Sequence, residues 1–104
     1  MRKAHQLIRS REVLSENSFV KRVVWLLPAP LKGSVHTLKY RLAYVVEGTC
    51  VVRYDNEASK GDHRHVGADE HPYAFTTPEQ LLADFWQDVQ NWKVNHEHCD
   101  HRSG

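Results

Sequence analysis

Between His36 and Val46 the chain alternates with period two: Leu38, Tyr40, Leu42, Tyr44 and Val46 share one parity, and Lys39 and Arg41 the other. That pattern belongs to a strand with one face buried and one face wet. Glu47-Gly48 interrupts it, and Cys50, Val52 and Tyr54 then resume the apolar parity. For both apolar sets to share a face, the connection must hold an odd number of residues, for example Val46-Glu47-Gly48 with Gly48 left-handed in a bulge. The same register gathers Lys39, Arg41, Arg53 and Asp55 on the opposite, polar face.

The remaining chain extends this hairpin into a sheet. Two apolar runs, about Leu7 to Leu14 and Phe19 to Leu27, flank the turn-forming Ser15-Glu16-Asn17-Ser18 and read as antiparallel strands. Pro28-Ala29-Pro30 and Lys32-Gly33-Ser34 form a loop that a central strand could not contain. Pro72-Tyr73-Ala74-Phe75 suggests a short edge strand. Thr77-Pro78-Glu79-Gln80 starts a helix, with Thr77 as cap, Pro78 in the first helical position and Gln80 completing a capping box. Leu82, Phe85, Trp86, Val89 and Trp92 then form one apolar stripe. The expected fold is α+β: an antiparallel sheet of about four to five strands with one carboxyl-terminal helix packed on it. Residues 1–94 make a single domain, and the polar run 95–104, which lacks an apolar anchor, makes a disordered tail.

The net charge of +1 conceals an asymmetry. Residues 1–64 hold 12 Lys and Arg against 6 Asp and Glu, whereas residues 65–104 hold 2 against 7. The first part can face a polyanion; the second cannot. Cys50 and Cys99 lie far apart, so no disulfide framework is expected, and reduced thiols suit an intracellular protein. No run approaches the roughly 20 apolar residues that span a bilayer. The expected location is the cytoplasm, away from membranes.

The chemistry of the chain concentrates in Tyr54-Asp55-Asn56-Glu57-Ala58-Ser59-Lys60-Gly61-Asp62-His63-Arg64-His65. So polar a stretch after a strand pattern points to a site rather than a scaffold. His63 and His65, two apart, point the same way if extended, with Arg64 opposite. Histidine exchanges protons near neutrality, and Lys60 and Arg64 supply fixed positive charge for an anionic transition state. These are the parts for metal-independent RNA cleavage, with His63 and His65 as acid and base in either order and Asp62 or Asp55 orienting a histidine. Lys39, Arg41, Arg53, Asn56 and Tyr54 are candidates for RNA contact, and no metal or other cofactor is expected. Two alternatives remain open on the residues alone. Asp55, Glu57, Asp62, His63 and His65 offer oxygen and nitrogen donors for Mg²⁺, Mn²⁺ or Zn²⁺, although Lys60 and Arg64 would repel the ion. The stretch could instead be a charged loop whose acids pair with nearby cations. His5, His36 and His71 read as surface residues without a role.

The run Lys60-Gly61-Asp62-His63-Arg64-His65, preceded by Tyr54-Asp55-Asn56-Glu57 and followed by Gly67, Pro72-Tyr73, Phe75 and Asp84-Phe85, resembles the TumE-like toxins of bacterial type II toxin–antitoxin modules. Leu14-Ser15-Glu16-Asn17, Val24-Trp25 and Lys39-Tyr40-Arg41-Leu42 share in the resemblance, which covers about residues 7–90. It implies a growth-inhibiting toxin held inactive by a cognate antitoxin, usually a helix-turn-helix DNA-binding protein, and acting on RNA that is free or ribosome-bound. An endoribonuclease of the mRNA-interferase type is the leading expectation. A non-catalytic inhibitor that occupies RNA or the ribosome, and a metal-dependent nuclease, are the alternatives.

Overall fold

Six strands follow one another along the chain and across the sheet in the same order: β1 (His5–Ser15), β2 (Ser18–Leu26), β3 (Leu38–Val46), β4 (Thr49–Glu57), β5 (Gly61–Val66) and β6 (Asp69–Pro72). Every neighbouring pair is antiparallel. A helix, α1 (Pro78–Ser103), completes the α+β chain. The computed structural model describes the backbone of residues 3–103 and the side chains of residues 3–96. Contacts divide the chain into two compact units, Met1–Ala74 with the sheet and Phe75–Gly104 with the helix.

The sheet has six strands rather than the expected four to five, and the two that differ from expectation, β5 and β6, lie in or just after the polar stretch. β5 carries His63, Arg64 and His65, so it lacks the apolar parity by which a strand is recognised. β6 is the exposed run Asp-Glu-His-Pro, one segment earlier than the edge strand expected at residues 72–75. Its ladder to β5 runs from Val66↔Asp69 to His63↔Pro72 across the two-residue loop Gly67-Ala68. Gly67 has φ 60, as the first central position of a type II′ hairpin turn demands.

The β3–β4 hairpin obtains its odd count differently from the expected three-residue loop. Val46 pairs with Thr49 across Glu47-Gly48, and both loop residues have positive φ, the geometry of a type I′ turn. The extra residue enters as a bulge, because Tyr44 pairs with Val52 while Val45 pairs with Cys50. The unpaired Val51 turns its carbonyl to the Gly67 amide at 2.8 Å. Beyond the bulge Leu42 faces Tyr54 and Arg41 faces Asp55, so the inferred faces are correct. Cys50, on the turn side of the bulge, is instead an exposed free thiol.

Val20 and Val24 of β2, Leu38, Tyr40, Leu42 and Tyr44 of β3, and Val52 and Tyr54 of β4 form the buried face of the sheet. Burying each apolar side chain of this size stabilises by roughly 1.5–3 kcal/mol. In the helical unit Thr77 caps α1: its Oγ1 accepts from the Gln80 amide at 3.1 Å, and its carbonyl accepts from the Leu81 amide. Gln80 does not close the box, because its amide group donates to Asp84 at 2.7 Å. The buried stripe is Leu81, Phe85 and Val89, spaced by four, while Trp86 is 36% exposed. Leu81 therefore takes the place expected for Leu82. The expectation of a disordered tail falls mostly on residues whose side chains lie outside those described. No described helix is long and apolar enough to cross a membrane.

Candidate active site on the outer face of the central hairpin

Strand pairing sorts the polar stretch onto two faces. β4 and β5 form a hairpin with ladder Asn56↔Asp62, Asp55↔His63, Tyr54↔Arg64 and Arg53↔His65, closed by Ala58-Ser59-Lys60. Side chains alternate along each strand, so Arg53, Asp55, His63 and His65 share one face, and Tyr54, Asn56, Asp62 and Arg64 share the other. Registers with β3 and β6 add Arg41 and Glu70 to the first face. Lys39, two residues from Arg41, shares that face as well. Lys60 lies in the turn, and its backbone carbonyl accepts from His63 Nε2 at 2.7 Å.

On the outer face two histidines share one carboxylate. Glu70 Oε2 lies 3.5 Å from His63 Nδ1 and 3.3 Å from His65 Nε2. Arg53 reaches His65 from the other side, with its Nη2 2.9 Å from the same Nε2, and its Nε lies 3.3 Å from Asp55 Oδ2. The two rings therefore have unlike surroundings. His65 Nε2 thus stands between a guanidinium, which can only donate, and a carboxylate, which can only accept. His63 turns its Nε2 to the Lys60 carbonyl, while its Nδ1 is buried without a hydrogen bond, 3.5 Å from Glu70.

The inner face is built differently. Asp62 Oδ2 accepts from the Tyr40 hydroxyl at 2.6 Å and pairs with His36 Nε2 at 2.8 Å. Burial, helped by the Asp62 carboxylate, holds the Tyr40 phenol far above its ordinary ionisation range. Asn56, 2% exposed, accepts from the Tyr40 amide at 2.9 Å and donates to the Leu38 carbonyl at 2.7 Å. Its side chain thus replaces the ladder where β3 and β4 stop pairing after Arg41↔Asp55. Tyr54, 1% exposed, packs edge-on against Tyr73 with ring centroids 5.0 Å apart. Both residues expected to touch RNA on this parity, Tyr54 and Asn56, are therefore core residues. Asp62 and Arg64 likewise stand across the sheet from His63 and His65.

Two participants were not anticipated. His36, read as a surface histidine, is largely buried against Asp62, and nothing in a loop 26 residues away announces that contact. Glu70 was legible in principle: a two-residue turn at Gly67-Ala68 sets it opposite His65. Among the described residues no group of three or more His, Cys, Asp or Glu has the arrangement of a metal site.

Where β3 and β4 splay, the outer face carries a depression of about 240 Å³ lined by Val23, Trp25, Lys39, Arg41, Asp55 and Glu57. No curated protein and no solved structure matches the chain. A family model described as Toxin TumE matches residues 3–93. That match spans the sheet, both faces of the central hairpin and most of α1, and the chain belongs to the TumE toxin family.

Proposed function

We propose that this toxin is an endoribonuclease whose reacting groups are His63 and His65. What supports the reading is the presence of two imidazoles on one half-buried strand face, both within 3.5 Å of Glu70, with Arg53 beside His65. His65, with its Nε2 lone pair turned to a donor, is the base that takes the 2′-hydroxyl proton. The 2′-oxygen attacks phosphorus, the bond to the 5′-oxygen breaks, and a 2′,3′-cyclic phosphate forms. His63 is the acid that protonates the leaving oxygen. Arg53 moves from His65 onto the phosphate, which frees the Nε2 lone pair as substrate binds and places fixed positive charge where negative charge grows. Glu70, 3.3 Å from His65 Nε2, accepts from that nitrogen once it has taken the proton. Asp62 and Arg64 belong to the framework in this reading, and Lys60 contributes its carbonyl.

A cognate antitoxin, a helix-turn-helix protein encoded alongside, restrains the activity in the cytoplasm. The test compares wild type with His63→Ala and His65→Ala on a defined RNA and on DNA of the same sequence, with and without EDTA. Expected are cleavage of RNA alone, persistence in EDTA, and a loss of at least a hundredfold in each folded variant. Intact RNA together with arrested translation in a cell-free system would sink the catalytic reading in favour of inhibition by occupancy. Activity abolished by EDTA and restored by one ion would transfer the chemistry to a metal.

A further inference from the structure

We infer that the depression between β3 and β4 is a nucleobase subsite that takes a single unpaired guanine next to the phosphate being cut. The inference rests on the RNA-cleaving reading of the outer face and adds the base that the site selects. Its origin is local. The ladder between β3 and β4 ends at Arg41↔Asp55, and the buried Asn56 side chain bridges the gap from the inner face. On the outer face the parted strands leave the depression.

Its lining offers each element of single-strand recognition. Trp25, half-buried and paired across β2–β3 with Lys39, supplies an aromatic surface on which a base can stack. Lys39 and Arg41, both exposed, supply phosphate contacts on the same strand. Two carboxylates line the hollow, but Asp55 is occupied by Arg53, which leaves the exposed Glu57 to read the base edge. An ionised carboxylate only accepts hydrogen bonds. Guanine alone presents two adjacent donors, N1–H and the N2 amino group, on its pairing edge; adenine, cytosine and uracil each set an acceptor beside their donor.

The placement also fits the chemistry. Val23, Arg41, Asp55 and His63 lie in one row across β2 to β5. With strands about 4.8 Å apart, Arg41 stands about 10 Å from His63, within reach of the adjoining nucleotide. A guanine in the hollow directs its phosphate toward the histidines.

The experiment titrates the four ribonucleoside 3′-monophosphates into the full-length protein by calorimetry, alongside Glu57→Gln, Trp25→Ala and Lys39→Ala, with thermal melts to establish folding. Guanosine 3′-monophosphate should bind at least tenfold more tightly than the other three. Glu57→Gln should remove that preference while leaving the other three affinities within twofold. Trp25→Ala should weaken all four by about tenfold, as loss of one stacking contact does. Lys39→Ala should weaken all four and flatten the salt dependence. Equal binding of the four nucleotides, no binding, or a guanine preference that survives Glu57→Gln would overturn the subsite. If wild type cuts no RNA yet binds guanosine monophosphate through Glu57, the cleavage reading falls and the subsite stands. If wild type cuts RNA with no preference for guanine, the subsite falls and the cleavage reading stands.

Discussion

The two faces of the β4–β5 hairpin each carry an aspartate and an arginine, in opposite circumstances. Outward, Arg53, Asp55, His63 and His65 meet through contacts of 2.9–3.5 Å that leave side-chain surface exposed. Inward, Asp62 and Asn56 are tied to Tyr40, His36 and the backbone of β3, and Asn56 is buried. A dense polar motif is thus two half-motifs interleaved by the period of a strand. One set keeps polar side-chain surface open to solvent; the other closes the sheet where its ladder ends. Residue type alone does not separate them, because an aspartate and an arginine occur on each side.

The sharpest way to break this comparison is to exchange activity for stability. His63→Ala and His65→Ala should each lower RNA cleavage by two to four powers of ten, about 3–5 kcal/mol of barrier, at an unchanged melting temperature. Asn56→Ala should do the reverse. It strands the Tyr40 amide and the Leu38 carbonyl inside the protein, and urea denaturation should report a loss of about 3 kcal/mol. A folded, fully stable Asn56→Ala protein with impaired cleavage would mean that the inner face belongs to the site after all.

Tyr40→Phe removes one hydrogen bond to a carboxylate and should cost about 2 kcal/mol in the same assay. Its pH dependence sharpens the point. The folded phenol ionises far above its usual range, so its contribution is complete below about pH 10 and declines as pH rises beyond it. Wild type should lose up to about 1.4 kcal/mol per pH unit there through this one group, and Tyr40→Phe should lack that component. The smallest effect belongs to a pair on the first hairpin: Glu12→Gln breaks an exposed 3.2 Å contact with Arg22 and should change stability by no more than about 0.5 kcal/mol.

How far these faces could be read in advance follows from what each strand exposes. β3 sits between two strands with one face buried, so its alternation is written in Leu, Tyr and Lys and can be read directly. The bulge opposite Val45 could not be read, because apolar residues stand on both sides of it and either register keeps a valine inward. β5 alternates too, but between one kind of polar role and another, a rhythm that hydropathy does not register. β6 is held by its backbone ladder to β5, with every side chain exposed. The site shows the same divide. His63 and His65 announced themselves by spacing, whereas His36 reached Asp62 through a loop pinned elsewhere, by the Ser59 amide on the Lys32 carbonyl at 2.6 Å.

Because spatial order equals chain order, each strand finds its neighbour already made when it leaves the ribosome. β1 to β4 can assemble as a meander of local contacts, which form quickly. Glu70 comes last in the sheet, so the two histidines acquire their shared carboxylate only after the rest of the platform exists. On the proposed mechanism a nascent chain has no complete site until its final hairpin closes, and a restraining partner that recognised that hairpin would meet the chain as the site forms.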